Sequence, residues 1–187
     1  MRRLKKMIKL KIYFIATICG LFLTASCSKE DTAPTVSDQE TAEQFAWAVK
    51  TSVKSAAPSD DNKTWSNATV SGTESGSAVV NGSFTHDYDA YSGQSDDTYN
   101  YVVIQFDNYC DDSYYPHLTG TVIIDGTCTT QYGWNTEYWG QWELVGEDLK
   151  LSGKLSGTAS IAMIFKEGGL YWAAMVKTAD GTWSISN

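Results

Sequence analysis

The chain has 187 residues, with 14 Lys and Arg against 22 Asp and Glu, a formal net charge of −8 and 13% aromatic side chains. Six of the 14 basic residues lie in the first 11 positions, so the remainder carries eight Lys, no Arg and all 22 acids. That balance lacks the cationic footprint that phosphate backbones require and the guanidinium fork that clamps anions, which excludes nucleic acid as a partner and makes anionic ligands poor candidates.

The first element is "MRRLKKMIKLK", basic throughout, followed by the uncharged run "IYFIATICGLFLTA". These are the n-region and h-region of a secretory signal, and the run of 14 residues falls short of the ~20 that cross a hydrocarbon core as a helix. Ala25 and Ser26 then lead into Cys27, with Thr24 where Leu is usual, and this stretch resembles a bacterial lipoprotein signal. The resemblance covers only the first 30 or so residues. It implies removal of residues 1–26, acylation of Cys27 with fatty acid such as palmitate, and a lipid-anchored protein of the outer membrane. Each buried methylene contributes ~0.8 kcal/mol, so two or three chains hold stably where one is marginal. "SKED" after the cysteine is similar to the short lysine-plus-acid tag of surface-exported lipoproteins in the Bacteroidota, and both the cell surface and the periplasmic face stay open.

Residues 27–36 lack periodicity and read as a tether, and 37–187 as a single domain. "SDQETAEQFAWAVKTSVKSAAP" predicts an amphipathic helix, with Ser37 and Glu40 as capping box, a stripe of Ala42, Phe45, Ala46, Val49, Val53 and Ala56, and Pro58 as stop. From Trp65 the period becomes two. Ala78, Val80 and Phe84 share a face, as do Val102, Ile104 and Phe106, and Val122 and Ile124. His86 has the parity of the first set, which aims it inward. "DYDAYSGQSDD" starts like a calcium loop at Asp87 and Asp89 but misplaces the glycine and lacks the closing Glu.

Cys110 and Cys128 form a disulfide by default in an oxidising compartment. If residues 109–117 make a simple hairpin, however, Cys128 stands about ten residues up the returning strand, far beyond the ~6 Å that a bridge allows. Either the connection folds back or the thiols stay reduced.

"YGWNTEYWGQW", residues 132–142, is the densest aromatic feature. As a continuous strand it would place Tyr132, Trp134, Tyr138 and Trp142 on one face and Trp139 on the other, beside Asn135, Glu137 and Gln141. One reading is core, since a strand's inward face needs apolar bulk. The other is a sugar-stacking platform of Trp139, Trp134 and Tyr138, with Glu137 and Asn135 supplying directed hydrogen bonds. In "LKLSGKLSGTASIAMIF" the odd positions from Leu149 to Phe165 are apolar or Gly, which predicts one long strand bent at its glycines. "GLYWAAMVK" and "TWSIS" close the chain as short strands.

The whole predicts an all-β domain, an antiparallel meander forming a barrel or half-barrel with the N-terminal helix packed on it. No nucleophile elbow, zinc pair or phosphate loop occurs, so no catalytic residue and no cofactor are assigned. The functional expectation is a lipid-anchored, non-enzymatic binding protein for a neutral glycan or another small uncharged ligand. The alternative is a lipocalin-like or lipoprotein-carrier-like component holding an acyl chain, and a glycoside hydrolase, whose carboxylates leave no local motif, is the third. A filled interior with aromatics outside favours sugar, and an empty apolar cavity favours lipid.

Overall fold

The computed structural model describes residues 33–186. The signal segment, Cys27 and the first part of the tether lie outside them. The elements are one helix, α1 (Gln39–Ala56), and eight strands: β1 (Lys63–Ser71), β2 (Ser75–Asp89), β3 (Gln94–Cys110), β4 (His117–Gln131), β5 (Glu137–Ser152), β6 (Gly157–Lys166), β7 (Tyr171–Lys177) and β8 (Thr182–Ser186). All eight belong to one antiparallel sheet in chain order. Each strand pairs with its chain neighbour and β1 does not pair with β8, so the sheet is not closed into a barrel.

The expected stripes are buried on one face. Val80, Phe84, Val102, Ile104, Val122, Leu144, Leu149 and Val176 are all inaccessible there, and the helix presses Phe45, Ala46 and Val49 against them. The sheet curls around this core. Neighbouring strands stand ~4.8 Å apart, so β2 and β5 would be ~14 Å apart in a flat sheet. Yet the rings of Phe84 on β2 and Trp142 on β5 have centroids 6.3 Å apart.

The helix starts one residue later than the capping signal suggests. Asp38 is the cap, and Thr41 N–H donates to its Oδ1 at 2.9 Å while Asp38 N–H donates back to Thr41 Oγ1 at 3.2 Å. A hydroxyl at the third position accepts from the backbone and donates to the carboxylate, at 2.7 Å, a reciprocity that the expected Ser37 and Glu40 do not supply. Residues 33–36 belong to the domain. Thr35 bridges Ser156, Ser156 N–H donates to Pro34 O at 2.9 Å, Thr178 Oγ1 donates to Val36 O at 3.1 Å, and Val36 is buried.

The stretch from Leu149 to Phe165 is not one bent strand. It forms β5 and β6 of a hairpin, joined through residues 152–156 between the pair Leu151 and Gly157. Odd positions pair with odd ones here, Leu149 with Ala159 and Leu151 with Gly157, so the apolar alternation passes through the turn unbroken. A two-residue turn would have broken it, and this longer connection does not. Leu155, in the connection, is fully buried.

The β2–β3, β4–β5 and β6–β7 turns lie at one end of the sheet, and the β1–β2, β3–β4, β5–β6 and β7–β8 turns at the other. Because Ser156 and Thr178 sit in or beside turns of the second end, the chain enters the domain there. Helix α1 packs on β8, β7 and β3, with Gln39 Nε2 donating to Ser184 O and Gln44 Nε2 to Tyr114 O of the β3–β4 turn, both at 3.0 Å.

Candidate functional site

The end formed by the β2–β3, β4–β5 and β6–β7 turns carries most of the exposed aromatic surface. Tyr88, Tyr91, Tyr132, Trp134, Tyr138, Trp139 and Tyr171 all stand at least 41% exposed on these turns or the strand tips beside them. Tyr88 and Tyr132 meet edge to face across the tip of β3, with centroids 6.4 Å apart. Concentrated apolar rings on one rim go beyond the scattered exposure normal for a surface.

The aromatic run divides into three parts. Residues 132–136 form the β4–β5 connection, so Trp134 and Asn135 are turn residues, and Trp134 is fully exposed. Glu137 opens β5 opposite Gln131, with Tyr138 opposite Thr130 and Trp139 opposite Thr129. Trp142 alone of the run is core: its indole N–H donates to Asp97 O at 2.8 Å, and its ring meets that of Tyr99 edge-on at 5.1 Å. Tyr138 has the parity of Trp142 but projects past the filled core, and is 41% exposed. The expected single face is therefore interrupted by the turn and ends at Trp142.

Tyr138, Trp139, Gly140 and Gln141 line one side of an open cleft of about 310 Å³, and Lys166 and Glu167 the other. Gly140 brings only backbone to this lining: its φ is +77°, and a Cβ there would lie 2.2 Å from Thr127 O of the paired strand, so the position takes glycine alone. An indole, bare backbone, and the carboxylate of Glu167, the ammonium of Lys166 and the amide of Gln141 line the same cleft, the kinds of group that can meet a polyhydroxylated ring with its apolar face and girdle of hydroxyls.

A second cleft, of about 370 Å³, lies between α1 and the inner face of the sheet. Trp47, Lys50 and Lys54 line its helical side, and Tyr99, Ile124, Trp142 and Phe165 its sheet side. Tyr99 donates its hydroxyl to Ala57 O at 2.8 Å, and burial pushes its pKa up to about 12. Sequence reasoning missed this cleft. The available signal was Trp47, an indole two positions from Phe45 and off the apolar stripe of the helix.

His86 is not aimed into the core. It pairs with Asp97 across β2 and β3 near the same rim, half exposed, with Nδ1 2.6 Å from Asp97 Oδ1. Its parity is that of Phe84, but β2 has by then run beyond the buried layer. Ser95 Oγ lies 3.5 Å from that same Nδ1. A nucleophile relay needs the base to reach the hydroxyl through one ring nitrogen and the carboxylate through the other, and here both converge on one. Asp89 instead holds its own turn, accepting from Tyr91 N–H at 2.9 Å and Ser92 Oγ at 2.8 Å, which keeps its carboxyl below the usual range.

Cys110 and Cys128 are not bonded to each other. Both are free and buried, Cys110 Sγ beside Asp112 O and Tyr115 O, Cys128 Sγ beside Phe165 O. Cys128 pairs with Asp97, 13 positions back along β3 from Cys110, which at ~3.3 Å per residue is some 40 Å. The connection does not fold back. Burial raises both thiol pKa values, so neither is an activated nucleophile.

No family model, curated protein or solved structure matches this chain.

Proposed function

We propose that this is a lipid-anchored binding protein of the bacterial outer membrane, in which a half-barrel sheet presents an aromatic rim to neutral glycan. The observation that carries the reading is the clustering of exposed Tyr and Trp on the three turns at one end of the sheet, while the segment leading back to Cys27 docks at the other. Trp139 supplies the stacking face and Tyr138 lines the smaller cleft with it, while Trp134 and Asn135 on the β4–β5 turn and Glu137 at the start of β5 lie outside that lining and extend the rim. The acyl anchor is the sulfur and amine of Cys27. Apart from the cleft beside α1, the inner face is packed by Phe45, Phe84, Ile104, Leu144 and Met163, which supports a sugar ligand over an acyl chain threaded along the sheet. A glycan array probed with the purified protein tests this. Retention of neutral oligosaccharides that is lost on Trp139→Ala agrees with it, and absence of any retained glycan contradicts it.

A further inference from the structure

The larger cleft has a chemistry of its own, separate from the rim. Its sheet wall is apolar: Tyr99, Ile124, Trp142 and Phe165 face it, and the polar atoms of Tyr99 and Trp142 are already spent on Ala57 O and Asp97 O. Its helical wall carries the charge. Lys50 and Lys54 stand one turn apart on α1 on the cleft side, and among the described residues neither has a carboxylate within ion-pair distance. This is a notable placement in a chain with only eight Lys after its basic leader against 22 acids. The Lys50 ammonium is held 4.3 Å from the Trp47 ring centroid and 5.3 Å from that of Trp172, whose rings meet edge to face at 5.1 Å. Ring faces steady a cation without neutralising it. Burial first, and the neighbouring Lys54 charge second, hold the Lys50 pKa below the ordinary lysine value, so its surroundings disfavour the charge it carries.

We propose that this cleft binds a small amphiphile with a flat apolar body and a single carboxylate, the body against Tyr99, Trp142 and Phe165 and the carboxylate between Lys50 and Lys54. Charge complementarity selects the occupant: an anion restores the balance at two like charges that have no carboxylate within ion-pair distance among the described residues, whereas a neutral ligand leaves them facing each other. A volume of about 370 Å³ suits a ligand of one or two fused rings. The site is independent of the glycan reading, since neither Trp139 nor Tyr138 lines it.

The test uses the full-length protein in lipid nanodiscs, with empty nanodiscs as the partition reference, titrated calorimetrically with 2-naphthoate and with its neutral isostere 2-naphthamide. The expected result is at least tenfold tighter binding of the naphthoate. Lys50→Met, which keeps the stem on the Trp47 ring, should bring the two ligands within twofold, Lys50→Arg should restore the preference, and Trp139→Ala should leave it unchanged. Lys54→Met, at an exposed position where folding is not at stake, should weaken naphthoate and spare naphthamide. No binding of naphthoate, equal affinity for acid and amide, or a preference that survives in both Lys50→Met and Lys54→Met would overturn the proposal.

Discussion

Trp139 and Trp142 lie three residues apart on β5 and have opposite surroundings, 45% exposed against 5%. Trp142 fills the inner layer between Phe84 and Tyr99, with its indole N–H bonded to Asp97 O, so truncation there removes ring packing and that part-buried hydrogen bond together. Trp142→Ala should cost about 3–5 kcal/mol, read from denaturant midpoints at constant slope. A midpoint like that of wild type would show that the ring is not part of the core. The two cysteines make an equally sharp case. Buried at opposite ends of β3 and its neighbour β4, they should both be alkylated when the protein is denatured without reductant, and reductant should leave the melting temperature unmoved. A cross-linked peptide containing Cys110 and Cys128 would contradict the register of β3 with β4.

At the scale of elements, Gly126 shows how the sheet makes room for its aromatic layer. It sits on β4 between Tyr99 of β3 and Trp142 of β5, whose rings close over it at 5.1 Å. A Cβ at this position would lie 2.4 Å from Gln141 O, and the φ of +123° suits glycine alone. Gly126→Ala should therefore destabilise the fold by more than the ~1 kcal/mol of an ordinary strand substitution, measurable as a lowered melting temperature. Strand positions of this kind were legible from the alternation: Ala78, Val80, Phe84, Val102, Ile104, Val122 and Ile124 all face inward, and so does the predicted stripe of α1. The hairpin between β5 and β6 was not legible, because period two survives any connection that pairs odd positions with odd ones, as Leu151 pairs with Gly157. Parity also says nothing about where the covering layer stops. Tyr138 and His86 keep the inward parity of Trp142 and Phe84 but emerge at the rim, where nothing packs over them. Of the helix–sheet cleft the sequence carries only the hint of Trp47 off the helical stripe, since the cleft requires Trp47 and Lys50 to be set against Tyr99 and Phe165, residues brought together only by the meander.

Over the whole molecule, the two ends have different tasks under the proposed anchoring. The stretch from Cys27 to Ala33 spans at most roughly 20 Å, so the end at which Thr35 bridges Ser156 stays near the bilayer. A strand the length of β3, 17 residues, reaches about 50 Å and carries the aromatic rim away from it. A nitroxide on Trp134→Cys, at a turn position remote from the two buried thiols, should then be relaxed by water-soluble reagents and not by lipid-soluble ones. Relaxation by the lipid-soluble reagent would place the rim in the membrane and turn the reading toward lipid contact. The most direct measurement is calorimetric titration of an array-selected neutral oligosaccharide into wild type and Trp139→Ala, with melting curves for both. The expected result is an affinity at least tenfold weaker in Trp139→Ala, about 1.4 kcal/mol, with an unchanged melting temperature. Equal affinity in a fully folded Trp139→Ala would contradict the assignment of the rim as the glycan site.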